Sequence, residues 1–239
     1  MKYNYRRVNA LIGSRVCFQK VLNSYLEGKG GNVTFVNPFS YKYFETNPEE
    51  VGNFTKLFID GASLVYLHNL FNANKVDRVS FDYSSIAGEV FSFCEENNLK
   101  VGIIGGQEDE VKTACQNIKL KHPRLLIKYS RNGYINSQKE LETISLSASN
   151  CDILILGMGT PKQEEVSSFL YRKYPKKLIF TCGGFITQTS IKSDYYHPLA
   201  KKLGLRWLQR AIMHKHVRTR LISDYPKFYI KYIFSFVFN

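Results

Sequence analysis

Acidic residues are scarce in this chain: 20 Asp and Glu stand against 33 Lys and Arg in 239 residues, for a formal charge of +13. No apolar run approaches the roughly 18 to 20 residues that cross a bilayer, so no membrane-spanning helix is expected. Lys2, Arg6 and Arg7 are followed by no uninterrupted apolar stretch, which argues against a secretory signal. The five cysteines (Cys17, Cys94, Cys115, Cys151 and Cys182) are odd in number, scattered and mostly set among apolar neighbours. They suggest neither a disulfide framework nor a zinc site, and a reducing cytosol fits best. His68, His122, His197, His214 and His216 lack ligand spacing, because positions i and i+2 on a helix point the last two apart. There is no D-x-D sequence to hold a metal-bound nucleotide sugar, so neither a metal nor a cofactor is expected. The G-x-G-x-x-G fingerprint is also missing, which disfavours a dinucleotide oxidoreductase.

What is present is a regular alternation. "NVTFVNPF", "KLFID", "LKVGIIGG", "RLLIKYS", "CDILILGMG" and "KLIFTCGGF" read as strands, and "SSIAGEVFSFCEENN", "EDEVKTACQNIKL", "QKELETISLSAS" and "QEEVSSFLYRKY" as helices between them. Strands apolar on both faces predict an α/β fold, a mostly parallel Rossmann-like sheet flanked by helices, with ligands at the carboxyl ends of the strands. Near His197 the composition shifts. Residues 1–196 are read as the catalytic α/β domain and 197–239 as a basic, aromatic helical appendage, with nine Lys and Arg against one acid, Asp224, in the last 39 residues.

Several strand ends carry candidate chemistry. In "LILGMGTPKQEE" a buried strand stops at Gly157 and Gly159, and Pro161 with the acids behind it announces a helix. Such glycines let backbone approach a ligand, and a helix N-terminus favours an anion such as a diphosphate; a tight turn capped by Thr160 is the plain alternative. Gly105 and Gly106 repeat the pattern ahead of Glu108, Asp109 and Glu110, where a structural turn is somewhat favoured. Asp60 lies where a strand gives way to the apolar helix of "GASLVYLHNLF", placed either to cap that helix or to accept a proton from an attacking hydroxyl. Asn37, before Pro38, can hold a sugar hydroxyl or cap the next segment. The tail "YPKFYIKYIFSFVFN" is too short to span a bilayer and too apolar for a solvated end. It is expected to lie on an anionic membrane surface, the alternative being packing onto the domain or a second subunit. No nucleic-acid-binding motif accompanies the basic charge, so a nucleic-acid partner is not expected.

Together these pieces resemble the WecG/TagA/CpsF glycosyltransferases of bacterial surface-polysaccharide and teichoic-acid synthesis. The matching parts run in family order: Asn37, "DGASLV", "RVSFD", "VGIIGGQEDEV", "NGY", "CDILILGMGTPKQE", "FTCGGF" and "LGLRWLQR". The resemblance implies an inverting, metal-independent transferase at the inner face of the bacterial membrane. It would move a sugar, typically of N-acetylmannosamine type, from a UDP donor to a polyprenyl-diphosphate-linked acceptor. It also implies Asp60 as general base, Asn37 and Gln163 in the sugar pocket, Tyr134 near uracil and Arg78 near the active site. The donor-binding set comprises Asn37, Arg78, Gly105, Gly106, Tyr134, Gly157, Gly159, Thr160, Pro161, Lys162, Gln163 and Glu164, with Arg210 and Arg220 meeting the diphosphate. Departures mark a divergent member: Arg206 stands where the family commonly has Glu, and Tyr196-His197-Pro198 replaces Arg-Ala-Pro. A scaffold that kept the fold but lost turnover is the alternative reading, and a homo-oligomer is compatible with either.

Overall fold

A computed structural model describes residues 5–192, 195, 206–213 and 215–237; the side chains of Arg206, Arg210 and His216 lie outside that description. Six strands form one sheet: β1 (Gly31–Val36), β2 (Lys56–Ile59), β3 (Lys100–Gly105), β4 (Leu126–Arg131), β5 (Ile153–Gly157) and β6 (Leu178–Thr181). Their order is β2-β1-β6-β5-β3-β4 and every pairing is parallel. All six sequence-read strands are present, and the parallel sheet flanked by helices is the architecture expected.

The apolar runs are long because alternate residues feed opposite faces. On β5, Ile153 and Ile155 enter one core, Leu154 and Leu156 the other; on β6, Leu178 and Phe180 oppose Ile179. The first face is covered by α2 (Arg15–Leu26), α5 (Ala87–Glu96), α6 (Glu108–Lys121) and α9 (Phe185–Ile191). The second is covered by α7 (Gln138–Ala148) and α8 (Lys162–Lys173) over its centre. Towards the β2 edge it is covered by α1 (Tyr5–Leu11), α3 (Pro38–Thr46) and α4 (Ala62–Phe71).

The chain ends in α10 (Arg206–Met213) and α11 (Lys215–Val237), which supplies Phe228 and Tyr232 to the core beside β2. Tyr232 is fully buried, packs edge-on against Tyr5 with ring centroids 5.2 Å apart, and accepts from the side-chain amides of Asn9 and Asn72. One face of the tail therefore packs onto the domain. No helix among the described residues is long and apolar enough to cross a membrane.

Candidate active site

The parallel sheet sends the ends of β2, β1, β6, β5 and β3 to one edge, where they bring Asp60, Asn37, Thr181, Gly157 and Gly106 into the wall of a single cleft. Its volume of about 680 Å³ falls within the usual range for ligand pockets. Two glycines show why that wall is open. A Cβ on Gly105 would stand 2.3 Å from the carbonyl oxygen of Gly157, so β3 and β5 can abut at their ends only without a side chain. Gly159, at φ +73°, takes a left-handed turn that leads the chain into α8. Thr160, Lys162 and Gln163 follow on the cleft wall, with Tyr134 opposite from the loop after β4.

Four expected donor-binding residues, Arg78, Gly105, Pro161 and Glu164, do not line the cleft. Gly105 is consumed by the contact with Gly157, and Pro161 is the N-cap residue of α8 rather than its first helical residue. Glu164 is fully buried beneath the floor, where its Oε1 accepts from Gln163 Nε2 at 2.8 Å and from the Thr34 hydroxyl at 3.2 Å. Burial raises its pKa to about 7, against the lowering effect of Gln163, its own backbone amide and the Thr160 and Thr34 hydroxyls. The acids after Gly106 are turned to local duties: Glu110 accepts from the Gln107 backbone N–H and the Thr187 hydroxyl, Glu108 from Asn132.

Asp60 is not the cap of the following helix. Gly61 holds the N-cap position of α4 with no side-chain bond, and the Asp60 amide instead continues the sheet pattern by donating to Val36 O at 2.8 Å. Its carboxylate Oδ1 accepts from Arg78 at 2.7 Å. Arg78 reaches it because residues 78 and 79 dock beside Ile59 on the outer edge of β2, with Val79 N donating to Ile59 O at 2.9 Å. The same guanidinium meets Asp82 at 3.1 Å, and Asp82 is fixed by the Ser80 hydroxyl, the Ser84 amide and the Ser84 hydroxyl. Burial works to raise the Asp82 pKa, but the Arg78 charge and these bonds outweigh it and hold the carboxyl below its usual range. Asn37 does cap α3, its Oδ1 accepting from Phe39 N and Ser40 N; only its amide N–H groups are left to address the cleft it lines.

A second cavity, of about 430 Å³, adjoins the first, and Asn37, Phe39, Asp60 and Arg220 line both. Its remaining wall comes from the start of α4 (Gly61, Ala62 and Ser63), from Arg78 and from a largely apolar face of the C-terminal helices: Trp207, Val217, Leu221, Tyr225, Pro226 and Tyr229. Arg220 lies over the Phe39 ring, 3.7 Å from its centroid, at the junction. Arg78 lines this second cavity rather than the cleft. The departure at 196–198 and the side chains of Arg206 and Arg210 lie outside the described residues. Sequence reasoning passed over Thr181, Asp82 and Phe39. Thr181 ends a glycine-bounded strand and Asp82 sits inside "RVSFD", so both carried a signal, whereas Phe39 carried none.

The model of the glycosyl transferase WecG/TagA/CpsF family matches residues 7–238. A UDP-Gal:alpha-D-GlcNAc-diphosphoundecaprenol beta-1,4-galactosyltransferase of Shigella boydii is 44% identical over 89% of this chain and 90% of its own. Two N-acetylglucosaminyldiphosphoundecaprenol N-acetyl-beta-D-mannosaminyltransferases are more distant. That of Bacillus subtilis (strain 168) is 22% identical over 71% of this chain and 64% of its own, and that of Staphylococcus aureus (strain MW2) is 23% identical over 52% and 49%. This chain belongs to the WecG/TagA/CpsF family and is a glycosyltransferase.

Proposed function

We propose that the enzyme transfers galactose, with inversion, from UDP-galactose to an N-acetylglucosamine carried on a polyprenyl diphosphate. Galactose is favoured over the N-acetylmannosamine type because the relative that matches nearly end to end is a galactosyltransferase, whereas the mannosaminyl relatives share half that identity. The carrying observation is the place of Asp60, on the boundary between a polar, glycine-walled cleft and an apolar pocket. The cleft suits a nucleotide sugar and the pocket a lipid-linked sugar, so the carboxylate stands where the two substrates meet.

A UDP-sugar of α configuration becomes a β-glycoside by one displacement. The acceptor hydroxyl attacks C1, the C1–O bond to UDP breaks, and Asp60 takes the hydroxyl proton. Arg78 orients that carboxylate and is itself held by Asp82. The charge developing on UDP is met by Lys162, Arg220 and the positive end of α8, a metal-independent arrangement. Replacing Asp60 by Asn tests the assignment. UDP should bind within about threefold of wild type while turnover falls about 10²- to 10⁴-fold, the usual worth of a general base. Undiminished turnover would remove Asp60 from the mechanism, and a wild type that binds UDP without turnover would restore the scaffold reading.

The same reading places the enzyme peripherally on the cytoplasmic membrane face. Opposite its buried Phe228 and Tyr232, α11 exposes Ile222, Ile230, Ile233, Phe234 and Val237 within an arc of about 120°, with Lys227 and Lys231 beside it. An apolar stripe flanked by lysines is the pattern of a helix lying in a headgroup layer.

A further inference from the structure

Glu164 is deeply buried and does not touch the cleft, yet it holds two groups that do. Gln163 and Thr181 both line the floor between Asn37 and Gly157. On one side, Gln163 Nε2 donates to Glu164 Oε1 at 2.8 Å, while Gln163 Oε1 accepts from Gly183 N at 3.1 Å. The amide is thereby fixed at both ends, with its second N–H remaining for the cleft. On the other side, the Thr34 hydroxyl donates to Glu164 Oε1, and Thr34 and Thr181 share a hydrogen bond of 2.7 Å.

Proton counting sets the direction of that pair. A hydroxyl has one proton; where Thr34 gives its own to Glu164 Oε1, the bond between the threonines is donated by Thr181. Thr181 is then left with oxygen lone pairs towards the cleft. The parallel pairing of β1 with β6 carries this geometry, since Val33 stands opposite Phe180 and the next residues of the two strands are Thr34 and Thr181.

We propose that Glu164 is a positioning residue for the donor sugar: through Gln163 and the Thr34–Thr181 pair it makes the floor present one N–H donor beside one oxygen acceptor, a pair matched to a sugar hydroxyl. The inference rests on the UDP-sugar reading above. The sheet order supports the sugar's place, because β1 and β6 lie between the Asp60 end of the cleft and the glycine turns that face the diphosphate. Loss of the carboxyl frees the Thr34 proton, allows Thr181 to turn its own proton to the cleft, and releases one end of the Gln163 amide.

The test is calorimetric titration of the full chain, without acceptor, with UDP and with UDP-galactose separately. Glu164→Leu and Thr34→Val should each weaken UDP-galactose about tenfold, the worth of one hydrogen bond, and UDP by less than about threefold. Glu164→Gln, whose amide oxygen can accept both bonds, should keep UDP-galactose within about threefold of wild type. Thr34→Val changes one buried hydroxyl to a methyl and remains informative if Glu164→Leu does not fold. Variants that keep the wild-type ratio of the two affinities, or that weaken both ligands equally, overturn the positioning role alone. A wild type that binds neither ligand overturns the transferase reading and this inference with it.

Discussion

Glu164→Gln should alter how stability depends on pH, and the size of the effect follows from burial. The side-chain partners of the Glu164 carboxyl are neutral, namely Gln163, Thr160 and Thr34, and desolvation raises it to about 7. An unfolded glutamate titrates near 4.3 to 4.5. The folded state therefore keeps a proton that the unfolded chain has released, so this group's contribution is intact below the unfolded value and is lost as pH climbs towards 7. About 2.5 pH units at 1.36 kcal/mol each give a total of about 3 kcal/mol, most of which falls between pH 5 and pH 8. The amide has no proton to lose. Urea unfolding at pH 5, 6 and 8 should show the variant gaining about 2 to 3 kcal/mol on the wild type across that range, with an unchanged denaturant slope. Groups common to both proteins, Asp82 included, cancel in the difference. Parallel stability profiles would show that the carboxyl is ionised at no cost, and that the charge has compensation the buried network does not provide.

Three further outcomes are expected. Asp82→Asn removes one of the two carboxylates holding Arg78 and should lower kcat about tenfold with UDP affinity unchanged; an equal loss of both would mean a general packing defect. Transfer should persist in excess EDTA, and loss restored by a divalent cation would refute the arginine, lysine and helix-end account of leaving-group charge. Ile222→Asp combined with Phe234→Asp should reduce co-sedimentation with anionic liposomes about a hundredfold, since each side chain contributes about 1.5 to 3 kcal/mol when buried. Unchanged binding would move the membrane surface elsewhere. Point variants suit this better than deletion of Tyr225 to Asn239, which would also remove the buried Phe228 and Tyr232.

The sheet was legible because its strands are buried on both faces and so appear as uninterrupted apolar runs. β5 is the clearest case, every residue from Ile153 to Gly157 being buried. Three N-terminal helices were not anticipated. In α3 the helical signal of Pro38 was absorbed into the strand "NVTFVNPF", although Asn37, the residue after Val36, is a capping side chain whose bonds start the next element. The site was legible where it depends on backbone shape, at Gly157 and Gly159, and where a polar residue ends a strand, at Asp60. Glu164 was misread because the sequence shows its distance from the glycine turn but not its direction. Two positions past the cleft-lining Lys162, the helix has turned its side chain beneath the floor.

The position of Asp60 also explains why the C-terminal helices belong to the site although no strand leads to them. A sheet edge alone gives the carboxylate one open side, the cleft over β1, β6 and β5, which a nucleotide sugar would fill. In the inverting reaction proposed above, the attacking hydroxyl would approach C1 from the side opposite the departing UDP, and the second cavity beside Asp60 would admit it from there. That cavity is formed when α10 and α11 supply Trp207, Leu221, Tyr225 and Tyr229. The buried ring of Tyr232, two turns beyond Tyr225, sets how closely those walls approach β2. Weakening this anchor, as in Tyr232→Ala, should therefore raise the KM for the lipid-linked acceptor more than that for the UDP-sugar. Equal changes in both would mean that the tail stabilises the fold without shaping the acceptor's side of the site.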